Sequence, residues 1–169
     1  MPKPPDPDAV DSILVQWRRE RPDVNVEAIG VVGRMVLLKA QLDAAFETVA
    51  ARHDVDRGLA DVLAALRRSG PPYRLSPTDL FNSMMVTSGG MTHRLDRLER
   101  KGLIARKRHP DDRRGVQVQL TARGRKRIDA ILPESMQQVD QALAAIDRKE
   151  QKQLADLLRR VLAGFPRKD

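Results

Sequence analysis

Val10, Ile13, Leu14 and Trp17 recur at i, i+3, i+4 and i+7, the spacing that lines apolar side chains along one face of an α-helix. Asp8 ahead of them can cap that helix, and Pro22 lies beyond its end. From Val26 to about His53 the apolar positions cover more than one face in the first half, the pattern of a helix surrounded by protein. It is the expected central helix of the body. Leu59, Val62, Leu63 and Leu66 form a third stripe, stopped by Gly70 and the two prolines after it. At the far end Leu154, Leu157, Leu158, Val161, Leu162 and Phe165 mark a closing helix, with the chain helical from beyond Thr121 and on past Pro133.

The stretch between these helices has a different rhythm. Ser76, Pro77 and Asp79 stand where an N-cap, a first helical residue and an acidic third residue belong. After a short turn through Val86 and Thr87, a second short helix is expected from Ser88 to Gly102, a residue suited to the position after a helix end. Two short helices across a tight turn match a helix-turn-helix, whose second helix enters the DNA major groove. The runs LIARKRH and VQVQLT then alternate like paired strands, with turn formers and Arg113 and Arg114 between them. Helix, helix and hairpin predict a mainly α fold: a winged helix-turn-helix with a two-stranded β wing and N- and C-terminal dimerisation helices. Residues 8–55 and 122–165 are read as the helical dimerisation region and 56–121 as the DNA-binding region of one compact, integrated domain. Residues 1–7 and 166–169 are expected to be flexible termini.

At 100° per residue, Met91, Leu95 and Leu98 of the second short helix lie within about 60° of one another and must seat it on the domain. His93, Asp96, Arg97 and Arg100 are read as the opposite face. With Ser88, Gly89, Gly90 and Thr92 at the helix start, His93, Arg97 and Arg100 are the candidates for reaching bases and phosphates, and Arg113 and Arg114 for touching phosphates or the minor groove from the wing. Arg94 falls about 60° from Met91 on the far side from Leu95, at the edge of the buried stripe. An arginine so placed calls for an anionic partner.

Charge supports that reading. Of the net charge of +8, residues 88 to 127 hold 13 Lys and Arg against 4 Asp and Glu, a local balance of +9 that leaves −1 elsewhere. A basic block on a neutral body suggests a polyanion partner. Aromatic residues are only 3%, too few for the stacked-base platforms of single-strand binders, so double-stranded DNA is the expected partner. The chain has no cysteine, which excludes disulfides, cysteine zinc sites and cysteine nucleophiles. The start has neither the basic nor the apolar region of an export signal, and no apolar window reaches membrane-span length. A cytoplasmic protein with no membrane partner is expected. No nucleophile elbow, glycine-rich phosphate loop or paired acid cluster is found, and His53, His93 and His109 are scattered. No enzyme activity, cofactor or metal is expected.

The run LSPTDLFNSMMVTSGGMTHRLDRLERKGLIARKRHPDDRRGVQVQLTARGR resembles the DNA-binding core of the MarR family of winged-helix transcriptional regulators, and the flanking helices fit it too. The resemblance implies a homodimer, paired through its N- and C-terminal helices, that binds a pseudo-palindromic operator. A finer resemblance is to the family's urate-responsive branch, which adds an N-terminal helix and holds an anionic purine with a tryptophan, an aspartate and two arginines. Trp17, Asp61, Arg94 and Arg106 match those positions.

The branch likeness implies a ligand-released regulator, most simply a repressor. A small anion, urate first, would be held by Trp17 and Arg94, and its charge would displace Asp61 from Arg106. Each position also has a structural reading: Trp17 as core, Asp61 as a solvated surface acid, Arg106 as a phosphate contact. An aconitate-like carboxylate or a phenolic acid would suit the same arginine pair. A zinc sensor or a non-specific architectural DNA-binder are the rival functions.

Overall fold

The computed structural model describes residues 6–84, 90–108 and 115–165. The chain divides into two compact units, Met1–Ala44 and Ala45–Asp169, with the boundary inside the long second helix.

In the first unit, helix α1 (Ala9–Glu20) starts as its sequence dictates. Asp8 accepts from the backbone N–H of Val10 and Asp11 at 2.8 and 3.1 Å, and Asp11 returns a bond to the Asp8 N–H at 2.9 Å, so both orphan ends of the first turn are satisfied. Val10 and Leu14 are buried with Val26. They lie on the start of helix α2 (Ile29–Arg52), where two glycines let α1 come close: a Cβ on Gly33 would stand 3.0 Å from Val10. Arg34 ties the two helices from outside, reaching Asp8 and Asp11 at 2.8 Å each.

The second unit is built on helix α3 (Arg57–Arg68), whose Leu59, Leu63 and Leu66 are fully buried. Strand β1 (Arg74–Leu75) follows, then α4 (Pro77–Ser83), α5 (Met91–Arg100), β2 (Ile104–Arg108), β3 (Val116–Leu120), α6 (Ala122–Ala142) and α7 (Arg148–Ala163). Leu80, Leu98, Leu103, Ile104, Val118, Ile128 and Ile131 close over α3 as one core. Ser76 caps α4 through the Asp79 N–H at 3.0 Å, and Thr121 caps α6 through the Gly124 N–H at 2.9 Å.

The sheet is antiparallel in the order β1-β3-β2, with Ile104 opposite Leu120 and Arg108 opposite Val116. The expected two-stranded wing thus gains a third strand, Arg74 and Leu75 lying beside Gln119 and Val118. Two residues carry too little alternation to announce a strand, and only the exposed edge of β3 makes them one. Gly124 presses so tightly on Leu103 that a Cβ would stand 2.9 Å from the Leu103 carbonyl carbon.

Two faces remain uncovered. Helix α7 contains no buried residue, and Leu157, Val161, Leu162 and Phe165 are 54%, 47%, 69% and 67% exposed. On α2, Val31, Val32 and Val36 are likewise open. The central helix expected to be enclosed is therefore open at these positions of its first half within the first unit.

The end of α2 is fastened to α6 by charge. Glu134 receives Arg52 at 2.6 Å and His53 Nε2 at 2.8 Å, and Arg127 donates to the His53 carbonyl. The bonds from Arg52, and then from His53, hold the Glu134 carboxyl below its ordinary range. A carboxylate depressed in the folded state stabilises the fold above its unfolded pKa, and that contribution is lost as pH falls through the folded value. Thermal melts across an acid series should show the midpoint falling below about pH 4, with a smaller fall in Glu134→Gln; equal falls would remove Glu134 from the account.

Candidate nucleic-acid interface and anion site

Helix α5 opens on Gly90, whose φ of +78° and missing Cβ suit a left-handed start. It closes as expected on Gly102 at φ +66°, whose N–H reaches the Glu99 carbonyl at 2.8 Å. Leu95 and Leu98 are buried and Met91 packs against the same core, so the apolar edge seats the helix. Thr92, His93 and Arg100 are exposed and form the face open to a groove. Ser88, Gly89, Arg113 and Arg114 lie outside the described residues.

Arg97 and Asp96, read from sequence as part of that outer face, lie toward its two flanks and bond the elements beside it. Steps of 100° carry each about 120–140° from Met91, which is far from the core but within reach of whatever borders the helix. Arg97 Nη1 lies 2.5 Å from Asp56, the residue that caps α3. One turn on, Lys101 reaches Asp54 at 3.0 Å. One turn back, the Arg94 guanidinium stands over Gly58, where a Cβ would lie 2.9 Å from Nε and 3.1 Å from Cζ. The start of α3 and this flank of α5 thus meet at three successive rungs.

The other flank belongs to the wing. Arg106 on β2 bonds Asp96 at 2.5 Å and Glu99 at 2.6 Å, and its own N–H donates to Glu99 at 3.0 Å. Asp96, and then Glu99, raise the pKa of its guanidinium. Each of these partly exposed pairs contributes at most about 1 kcal/mol, but together they fix the roll of α5 about its axis.

Of the four residues matched to an anion site, Arg94, Asp61 and Arg106 lie in the second unit and Trp17, 47% exposed, lies in the first. Asp61 is 3.9 Å from Arg57 one turn earlier on α3, and Arg106 is committed to Asp96 and Glu99. Arg94 Nη1 is buried without a hydrogen-bond partner, and among the described residues no carboxylate pairs with that side chain. Asp54 and Asp56 escaped the sequence reading because ion pairs spanning 47 and 41 residues leave no local trace. Lys107 and Arg108, exposed on β2, extend the basic surface and were visible only as part of the charge block. Among the described residues no three His, Asp or Glu side chains gather as metal donors, and no helix is long and apolar enough to cross a membrane.

A reading helix with a seated edge, braced flanks and a free polar face, backed by a β wing, defines a winged-helix transcriptional regulator. Residues 58–116 match the MarR family. Over 152 residues the chain is 36% identical to the HTH-type transcriptional regulator PecS of Dickeya dadantii (strain 3937), covering 90% of this chain and 92% of that protein. The chain belongs to the MarR family, and is a regulator rather than an enzyme. In fold it is similar to a MarR family transcriptional regulator from Streptomyces coelicolor solved in complex with DNA, at TM-score 0.74 and 24% identity over 86% of this chain and 95% of that one. It is also similar to Bordetella bronchiseptica BpsR, whose structure concerns regulation of DNA binding by 6-hydroxynicotinic acid, at TM-score 0.67 and 23% identity over 78% and 98%.

Proposed function

We propose that the chain acts in the cytoplasm as a homodimeric repressor that binds a two-fold operator and is released by a small anionic ligand, urate first. Residues 8–55 and 122–165 would supply the dimer contacts. Thr92, His93 and Arg100, with Ser88, Gly89, Gly90 and Arg97, would read the major groove, while Arg113 and Arg114 meet the DNA from the wing. Trp17, Asp61, Arg94 and Arg106 would serve the ligand. The observation that carries the ligand half is the unpartnered Nη1 of Arg94, a buried donor on the DNA-reading helix itself, which an anion would satisfy at no cost in broken ion pairs. PecS-like sequence over nearly the whole chain supports a regulator of that kind.

The coupling differs from the one the branch likeness suggests. Since Arg106 already holds Asp96 and Glu99 of α5, an anion drawing on Arg106 would loosen the wing from the reading helix directly, with no need of Asp61. BpsR, of the same fold, is regulated by an aromatic acid, which keeps phenolic and carboxylate anions in play beside urate.

The test is a gel shift on DNA upstream of the chain's own coding sequence, titrated separately with urate, aconitate and salicylate, for the wild type and Arg94→Ala. Release of the wild type by urate, with Arg94→Ala still bound to DNA but needing at least about tenfold more urate, is expected from the loss of a charge-assisted pair. No release by any anion would leave a DNA-binding regulator without this ligand class.

A further inference from the structure

The three rungs between the start of α3 and α5 are unlike one another. Lys101 faces Asp54, Arg97 faces Asp56, and Arg94 faces Gly58. Two of the three cations therefore have a carboxylate supplied by the chain, and the third has bare backbone. Gly58 is the second residue of α3 and has ordinary helical backbone, so neither a turn nor a strained φ calls for glycine there. In a helix, glycine costs about 0.5–1 kcal/mol relative to alanine. The atoms nearest above it all belong to the Arg94 guanidinium: a Cβ would meet Nε at 2.9 Å, Cζ at 3.1 Å and Nη2 at 3.3 Å. The same guanidinium ends in the buried, unpartnered Nη1.

We propose that Gly58 is a positioning residue whose missing side chain seats Arg94 and keeps it unpaired, so that the third rung stays open to an anion from outside the chain. The inference rests on the anion-responsive reading above for its ligand, though not for its geometry. An acid at this position would close the site from within. An aspartate at the second residue of α3 would also agree with the helix dipole, so its absence is not explained by folding. The neighbouring rungs give the device its reach: Arg97 and Lys101 hang from the same two-residue ladder on Asp56 and Asp54, and an anion that pulls Arg94 off Gly58 works against both.

The experiment compares the wild type with Gly58→Asp and its uncharged isostere Gly58→Asn, each as the full chain. Arginine Nε–H resonances are followed by NMR, with the Arg94 signal identified by its loss in Arg94→Ala. Release from operator DNA is titrated with urate in parallel, and thermal melts verify that each variant is folded. In Gly58→Asp the Arg94 signal should move and sharpen as it gains a carboxylate, and the urate needed for release should rise on the order of tenfold; Gly58→Asn should move the signal less and retain more of the response. An Arg94 signal in Gly58→Asp that matches the wild type overturns the proposal, as does a moved signal with an unchanged urate titration. If urate, aconitate and salicylate all fail to release the wild type, the anion-responsive reading falls by itself, and the Arg94 signal alone decides whether Gly58 seats that side chain.

Discussion

Gly124→Ala is expected to lose about 3 kcal/mol or more of stability, a fall in melting midpoint of roughly 10 °C for a chain of this size. The added Cβ would stand 2.9 Å from both the Leu103 carbonyl carbon and Leu120 Cδ1. The carbonyl cannot retreat. The Leu103 carbonyl accepts the Thr121 N–H and the Thr121 hydroxyl at 3.1 Å each, and Leu103 itself is buried in the core. The end of α5, the start of β2 and the cap of α6 converge on that one carbonyl, so relief at any of them dismantles the others. Gly30→Ala is the control. Its Cβ would find Leu14 at 3.4 Å, ordinary van der Waals contact, and a helical alanine should be neutral or gain a few tenths of a kcal/mol. Thermal melts of the two variants side by side measure the contrast, and a Gly124→Ala midpoint within a degree or two of wild type would refute the packing argument.

The second large effect is expected on the uncovered helix. Leu157→Glu with Val161→Glu should leave the fold of the second unit intact, because α7 buries nothing within one chain, yet should convert the proposed dimer to monomers. Two charges placed in a desolvated apolar seam have no partner there. A monomer reads one half-site and forfeits the effective concentration that linkage gives the second, so operator affinity should drop by at least about a hundredfold. Light scattering gives the mass and gel shift the affinity. A dimer that survives the double change, or a monomer that still binds at wild-type strength, would remove α7 from the interface.

Much of this fold was legible because its signals are local. Asp8 and Ser76 cap the helices they were expected to cap, Thr121 caps the helix expected to follow it, and Gly102 ends α5 where its missing Cβ is needed. The Leu95 and Leu98 stripe is buried as read. What was hidden depended on neighbours distant in sequence. Strand β1 exists only because β3 lies next to it. Arg97 was assigned to the groove by its angle, and the carboxylate that holds it belongs to the cap of another helix. Arg106 bonds Asp96 and Glu99, acids of the helix it packs beside that no local pattern marked as its partners. Arg94 shows the opposite case: its angle alone flagged a cation at the rim of the core, and the structure finds that cation with a buried nitrogen still unpaired.

The braced flanks of α5 also alter how its charge meets DNA. Arg97, Lys101 and Arg106 already carry carboxylates as fixed counterions, and any of them that turned to a phosphate would have to abandon an acid first. Mobile ions leave the duplex in proportion to the cations that newly neutralise it, so the dependence of affinity on salt should be shallower than the 13 Lys and Arg of the basic block imply. A regulator so tempered is held less by bulk attraction to any polyanion and more by the hydrogen bonds of its open face, which favours the right sequence over the abundant wrong ones.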